Sequence, residues 1–191
     1  MNNSTPRMRR APICSAVLAA ILLVLGSSEL RASDFRIEVD LSTRMLTAYA
    51  GEDVVKTYSV SVGTPKDPTP TGSFQIRKLI WNPSWVPPKE KWARGKEPKK
   101  PGDPDNPMQR VKIFFKEPDY YIHGTPAVES MGRAQSHGCV RMTPAEVTDL
   151  AKIVMEHGGK PMPEPWYRRI FRRRSTQVVL LSNPVAIRIT P

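Results

Sequence analysis

The chain has 191 residues, 29 of them Lys or Arg against 18 Asp or Glu, for a net charge of +11, and it carries 2 cysteines. So few cysteines exclude a small disulfide-stapled scaffold, and the length leaves room for one domain with a real core once an N-terminal address segment is set aside. The basic balance calls for anionic partners, with nucleic acid the first candidate only if the protein stays in the cytoplasm.

Residues 1–32 have the three parts of a secretory signal peptide: Arg7, Arg9 and Arg10, an apolar run from Ile13 to Leu25, and small residues before a cut after Ala32. At about 1.5 Å per residue the apolar run falls well short of a slab of roughly 30 Å, so no stable membrane span is expected after cleavage. The Arg9-Arg10 pair suits twin-arginine export as well as an ordinary basic leader. Cys14 stands at the start of the apolar run and not after it, which argues against a lipoprotein. Export directs the remaining charge toward wall or membrane polyanions and argues against nucleic acid. It also leaves Cys139 as the one thiol of a mature chain spanning 33–191, where an unpaired cysteine needs burial or chemistry to explain it.

Phe35, Ile37 and Val39 alternate with Arg36, Glu38 and Asp40, and further strands are predicted from Met45, over Val54 to Val62 and over Ser73 to Leu79. Residues 81–110 hold seven prolines, three tryptophans and a lysine cluster. That composition predicts a segment without regular structure that covers something, a lid rather than a disordered loop. Val111 to Ile122 returns to strand propensity and delivers His123. Thr143, Pro144 and Glu146 predict a capped helix with Val147, Leu150, Ala151 and Val154 on its apolar face, ended by Gly158 and Gly159. A basic segment, 164–174, follows, its Arg168 to Arg174 run read as a solvated face or, failing that, a membrane or wall contact, and then two last strands, Val178 to Leu181 and Val185 to Ile189. His157 at the helix end fits a dipole contact without function.

A thiol attacks only as thiolate and needs a base; of the 3 histidines, His123 and His137 both lie close to Cys139 in sequence. Gly138 beside the sulfur permits a tight turn whose amides face an oxyanion, and Gly124 permits close approach at His123. On chemistry alone three readings stay open: nucleophilic catalysis, a metal held by His123, His137 and Cys139, or an inert packed thiol.

Ile122-His123-Gly124-Thr125 and Ser136-His137-Gly138-Cys139-Val140-Arg141 resemble the signature of the L,D-transpeptidase catalytic domain, the YkuD domain. Val62-Gly63-Thr64, Thr69-Pro70-Thr71-Gly72, Trp81 to Pro88 and Pro104 to Pro107 resemble further parts of it, the last two in its Gram-negative members. The resemblance implies a mainly β fold, a β-sandwich of mixed sheets with one or two short helices and a Pro/Trp-rich lid, with 33–191 as a single catalytic domain in the periplasm of a Gram-negative bacterium. It implies Cys139 as nucleophile, His123 as base oriented by the Gly124 carbonyl, His137 in support, Gly138 in the oxyanion hole and Ser136 as a hydroxyl behind the turn. Arg141, Tyr121 and Trp85 are the substrate-binding candidates, Arg141 weighed equally as a structural ion-pair partner. Peptidoglycan stem peptides are the implied donor, with another stem, a lipoprotein lysine or a free D-amino acid as acceptor and no cofactor or metal required. Rival readings are an L,D-carboxypeptidase or amidase-type hydrolase on the same fold, a zinc peptidase, and a wall-binding module without catalysis.

Overall fold

Alternating apolar and polar residues bury one face of strands such as Phe35–Asp40, and packing those faces together builds the domain. The computed structural model describes Met1 and residues 34–191, so the expected signal peptide lies outside the described residues. The strands are β1 (Phe35–Asp40), β2 (Met45–Ala50), β3 (Asp53–Ser59), β4 (Val62–Gly63), β5 (Gly72–Trp81), β6 (Gln109–Lys116), β7 (Tyr120–Gly124), β8 (Ala134–Ser136), β9 (Val140–Met142) and β10 (Gln177–Thr190). Two helices, α1 (Pro144–His157) and α2 (Glu164–Arg173), precede β10. Eight strands form one mixed sheet in the order β3-β2-β1-β10-β5-β6-β7-β9, and β4 pairs with β8 in a small parallel sheet. The mainly β, mixed-sheet architecture expected from the sequence is the one observed.

The core changes face within the long central strands. In β5 the inward positions are Phe74 and Ile76 in the first half and Leu79 and Trp81 in the second, while the ladder to β10 shifts register between Leu180 and Val185. The two strands expected over Val178 to Leu181 and Val185 to Ile189 are one, so Asn183-Pro184 between them does not end a strand. It is instead a bulge within one strand, where proline removes no ladder donor. The Gly158 carbonyl accepts from the Ser182 and Asn183 amides at 2.9 and 3.0 Å, tying that bulge to the end of α1. The sheet thus folds over α1 and reaches it from both halves. Tyr58 of β3 donates to Asp149 at 2.8 Å, Phe35 of β1 stacks on His157 with centroids 4.1 Å apart, and Ile122, Val140 and Met142 bury against the Val147–Leu150–Val154 face.

The predicted capping box is present, with the Thr143 hydroxyl accepting from the Glu146 amide and Glu146 reaching back to Thr143. The basic segment forms α2, which Arg174 caps; its arginines are exposed as expected, while its other face is apolar and packed. Tyr167 and Ile170 are three apart and both buried, and Trp81 packs on Tyr167, Trp166 and Phe171 at centroid distances of 4.9, 6.1 and 6.2 Å. The arginines between those positions hide the helical period. Trp81 is therefore core, fully buried, its indole N–H on the Met155 sulfur at 3.1 Å, and the irregular segment is 82–108 instead of 81–110. No helix among the described residues is long and apolar enough to cross a membrane.

Candidate functional site

Register brings the chemistry together. Lys112 of β6 pairs across from His123 of β7, and His123 pairs with Arg141 of β9, so the three side chains form one row across three strands. Their neighbours Ile122 and Val140 point the opposite way and are fully buried. One step along, Tyr121 and Cys139 share the face of His123. These five residues line a cavity of about 860 Å³, closed on its other side by Trp85, Val86, Pro88, Glu90 and Trp92 of the irregular segment.

The His123 ring is 2% exposed, and its Nδ1 lies 2.9 Å from the Gly124 carbonyl oxygen. A carbonyl only accepts, so Nδ1 carries the hydrogen and Nε2 keeps its lone pair. Burial lowers the imidazole pKa to about 3; the Gly124 carbonyl opposes this and the Arg141 and Lys112 charges add to it. Gly124 is required by packing, since a Cβ there would sit 2.5 Å from the Gln109 carbonyl oxygen and 3.0 Å from a Val147 methyl.

Cys139 is held by a turn in which Gly138 has φ +101, and a Cβ on Gly138 would lie 2.8 Å from the Tyr120 ring. The Ser136 hydroxyl donates to the Cys139 carbonyl and accepts from the Gly138 N–H at 3.1 Å. The Gly138 amide, expected at the oxyanion, here donates to the Ser136 hydroxyl. The Cys139 N–H, which donates to no carbonyl among the described residues, is the free amide beside the sulfur. The Cys139 Sγ donates to the Asp119 carbonyl at 3.4 Å, and burial raises its pKa, against the Tyr121 N–H and the Lys112 and Arg141 charges. Burial thus pushes both the thiol and the imidazole toward their uncharged forms.

The other candidates divide. Tyr121 packs between Phe114 and His123, at centroid distances of 5.1 and 5.5 Å, with its hydroxyl pKa raised by burial. Arg141 has no carboxylate within 4.0 Å among the described residues, which removes the ion-pair reading and leaves its charge directed at the cavity. Trp85 lines the cavity but is 6% exposed and bridges by its backbone to Lys99. The indole that reaches the site is Trp92, stacked on the exposed His137 ring at 4.1 Å and 11°. His137 is thus clamped by the irregular segment, and no cluster of three His, Cys, Asp or Glu side chains suited to a metal occurs among the described residues. Sequence reasoning missed Lys112 and Trp92. The signal for Lys112 was its place between Val111 and Ile113 in a strand that must pair with the one bearing His123; Trp92 gave none, because no periodicity fixes an irregular segment.

A mixed sheet presents a thiol and an anchored imidazole to one cavity, and the family model described as the L,D-transpeptidase catalytic domain, YkuD, matches residues 34–180. The chain belongs to that family. YkuD of Bacillus licheniformis is 32% identical over 120 residues, covering 63% of this chain and 60% of its own length. YqjB of Bacillus subtilis is 34% identical over 135 residues, 68% of this chain and 71% of that protein. The matched part of this chain spans about 60% of the YkuD relative. Among solved structures, an L,D-transpeptidase from Mycobacterium smegmatis superposes with TM-score 0.53 at 17% identity over 83% of this chain and 59% of that one. The Ldtfm–avibactam carbamoyl enzyme gives TM-score 0.53 at 17% identity over 83% and 49%. Both show the fold. The curated relatives are Bacillus proteins and lend no support to a Gram-negative source.

Proposed function

We propose that residues 33–191 form a single exported catalytic domain that acts as an L,D-transpeptidase on peptidoglycan tetrapeptide stems, in the periplasm of a Gram-negative cell, with Cys139 as nucleophile and His123 as base. The observation that carries this reading is the Nδ1 bond from His123 to Gly124, which leaves Nε2 unprotonated on a ring that lines the same cavity as Cys139. Because burial favours the neutral form of both groups, the thiol proton passes to Nε2 as the sulfur attacks the carbonyl of the third stem residue. The Cys139 N–H faces the oxyanion. Collapse expels the terminal D-alanine, whose amine takes the proton from His123 and leaves a thioester. An acceptor amine, from another stem or a protein lysine, then attacks the thioester, gives its proton to Nε2, and the sulfur leaves as the thiol on receiving it. His137, held by Trp92, and Ser136, behind the Cys139 turn, keep the loop in place.

The test is mass spectrometry of products from purified muropeptides incubated with and without candidate amines. Transfer products from the native chain and none from folded Cys139→Ala are expected, as is one carbapenem mass added at Cys139. Transfer by the alanine variant would end the mechanism.

A further inference from the structure

Lys112 is a cation that the mechanism above does not use. It is half-buried, its ammonium lies 4.7 Å from the Tyr121 ring centroid, and no carboxylate lies within 4.0 Å of it among the described residues. It stands on one side of His123 and Arg141 stands on the other, in one cross-strand row. The acids that line the same cavity sit elsewhere: Glu90 and Asp119 are exposed, and Asp67 belongs to the loop beside His137. A burial that strips water from two like charges and supplies neither with a counter-ion is costly unless a ligand brings the anion.

What that ligand is follows from where the pair sits. If His123 hands its proton to the leaving amine, an anion at Lys112 and Arg141 must lie within a few bonds of that nitrogen. An α-amino acid with a free carboxylate meets this condition, and an internal peptide bond does not. We propose that Lys112, paired with Arg141, is a specificity-determining residue that reads the free α-carboxylate of the residue leaving Cys139, restricting acyl donors to those cleaved at a C-terminal residue. This rests on the transpeptidase reading for its substrate, while the anion preference at the sulfur belongs to the geometry alone.

Two experiments separate those layers. In the first, Cys139 is alkylated in the full chain by iodoacetate and by iodoacetamide at one pH and ionic strength, with the Cys139 peptide followed by mass spectrometry. The two reagents differ in carrying a carboxylate, so thiol ionisation cancels in their rate ratio. Lys112→Gln should lower the iodoacetate-to-iodoacetamide ratio by about tenfold and Lys112→Arg should keep it, with added salt compressing the native ratio. An unchanged ratio in folded Lys112→Gln, or an equal slowing of both reagents, overturns the proposal; if the glutamine variant does not fold, Lys112→Met is read in the same way.

In the second, stem tetrapeptides ending in a free acid or in an amide are compared as donors. The native chain should prefer the acid at least tenfold in kcat/KM, chiefly through KM, and Lys112→Gln should lose that preference. Equal use of acid and amide by the native chain overturns the proposal. Turnover of neither, with the alkylation ratio behaving as expected, removes the transpeptidase reading and leaves the anion-reading pair standing.

Discussion

His123 and Cys139 are driven by the same burial toward their uncharged forms, and that fixes how each responds to pH. Between pH 6.5 and about 3 the unfolded chain protonates His123 while the folded chain does not. The unfolded state therefore binds more protons in that window, and stability falls as the pH is lowered across it, by up to about 1.4 kcal/mol per unit. Native protein should lose melting temperature from pH 6.5 downward, and His123→Gln should flatten that segment of the curve; parallel profiles would show that the imidazole is not buried in this way. At the thiol, iodoacetamide should label Cys139 with a single ionisation above the ordinary cysteine range. An alkylation plateau at acid pH, the mark of a preformed thiolate–imidazolium pair, would contradict the two neutral groups.

Among elements, α1 carries the consequences furthest, because its N-cap follows β9 directly and its flank holds both halves of the sheet. Thr143→Ala removes the hydroxyl of the capping box and should cost about 1 kcal/mol in urea unfolding, with the earliest hydrogen exchange in the first turn of α1. Gly124→Ala is a different case. Its Cβ would meet the Gln109 carbonyl oxygen at 2.5 Å, and backbone of a paired strand gives way poorly. It should lower stability by more than the cap change and displace the carbonyl that orients His123. Normal acylation of Cys139 in that variant would show the orienting bond to be dispensable.

For the whole molecule the question is what segment 82–108 does. Its roots are built in: Asn106 is 2% exposed, donates to the Pro83 carbonyl at 2.8 Å and accepts from the Met108 amide at 2.8 Å. Its middle covers the cavity through Trp92 on His137. Replacing Pro87 to Pro104 by a short glycine linker keeps those roots, so the domain should still unfold cooperatively. The ratio of aminolysis to hydrolysis products should drop, because a cover that excludes water protects a thioester. Trp92→Ala should move the ratio in the same direction by a smaller amount. An unchanged ratio at an unchanged rate would deny the segment a covering role, and a collapsed thermal transition would place it in the core.

The sequence by itself determined the local features: strand alternation in β1, the capping box of α1, the glycines at its end, and the two segments that carry His123 and Cys139. Each is encoded within a few residues, by period or by the steric needs of one turn. It left α2 hidden, because arginines interrupt the apolar period of Tyr167 and Ile170, and it split β10, because Asn183-Pro184 has the look of a terminator wherever it stands. Only tertiary structure decided that a bulge absorbs that proline and that Trp81 belongs to the core. It also engaged the Gly138 amide with Ser136, and placed Lys112 and Arg141 on either side of His123. Those outcomes depend on strand register and on which faces meet, and register is a relation between residues distant in the chain that no local pattern contains.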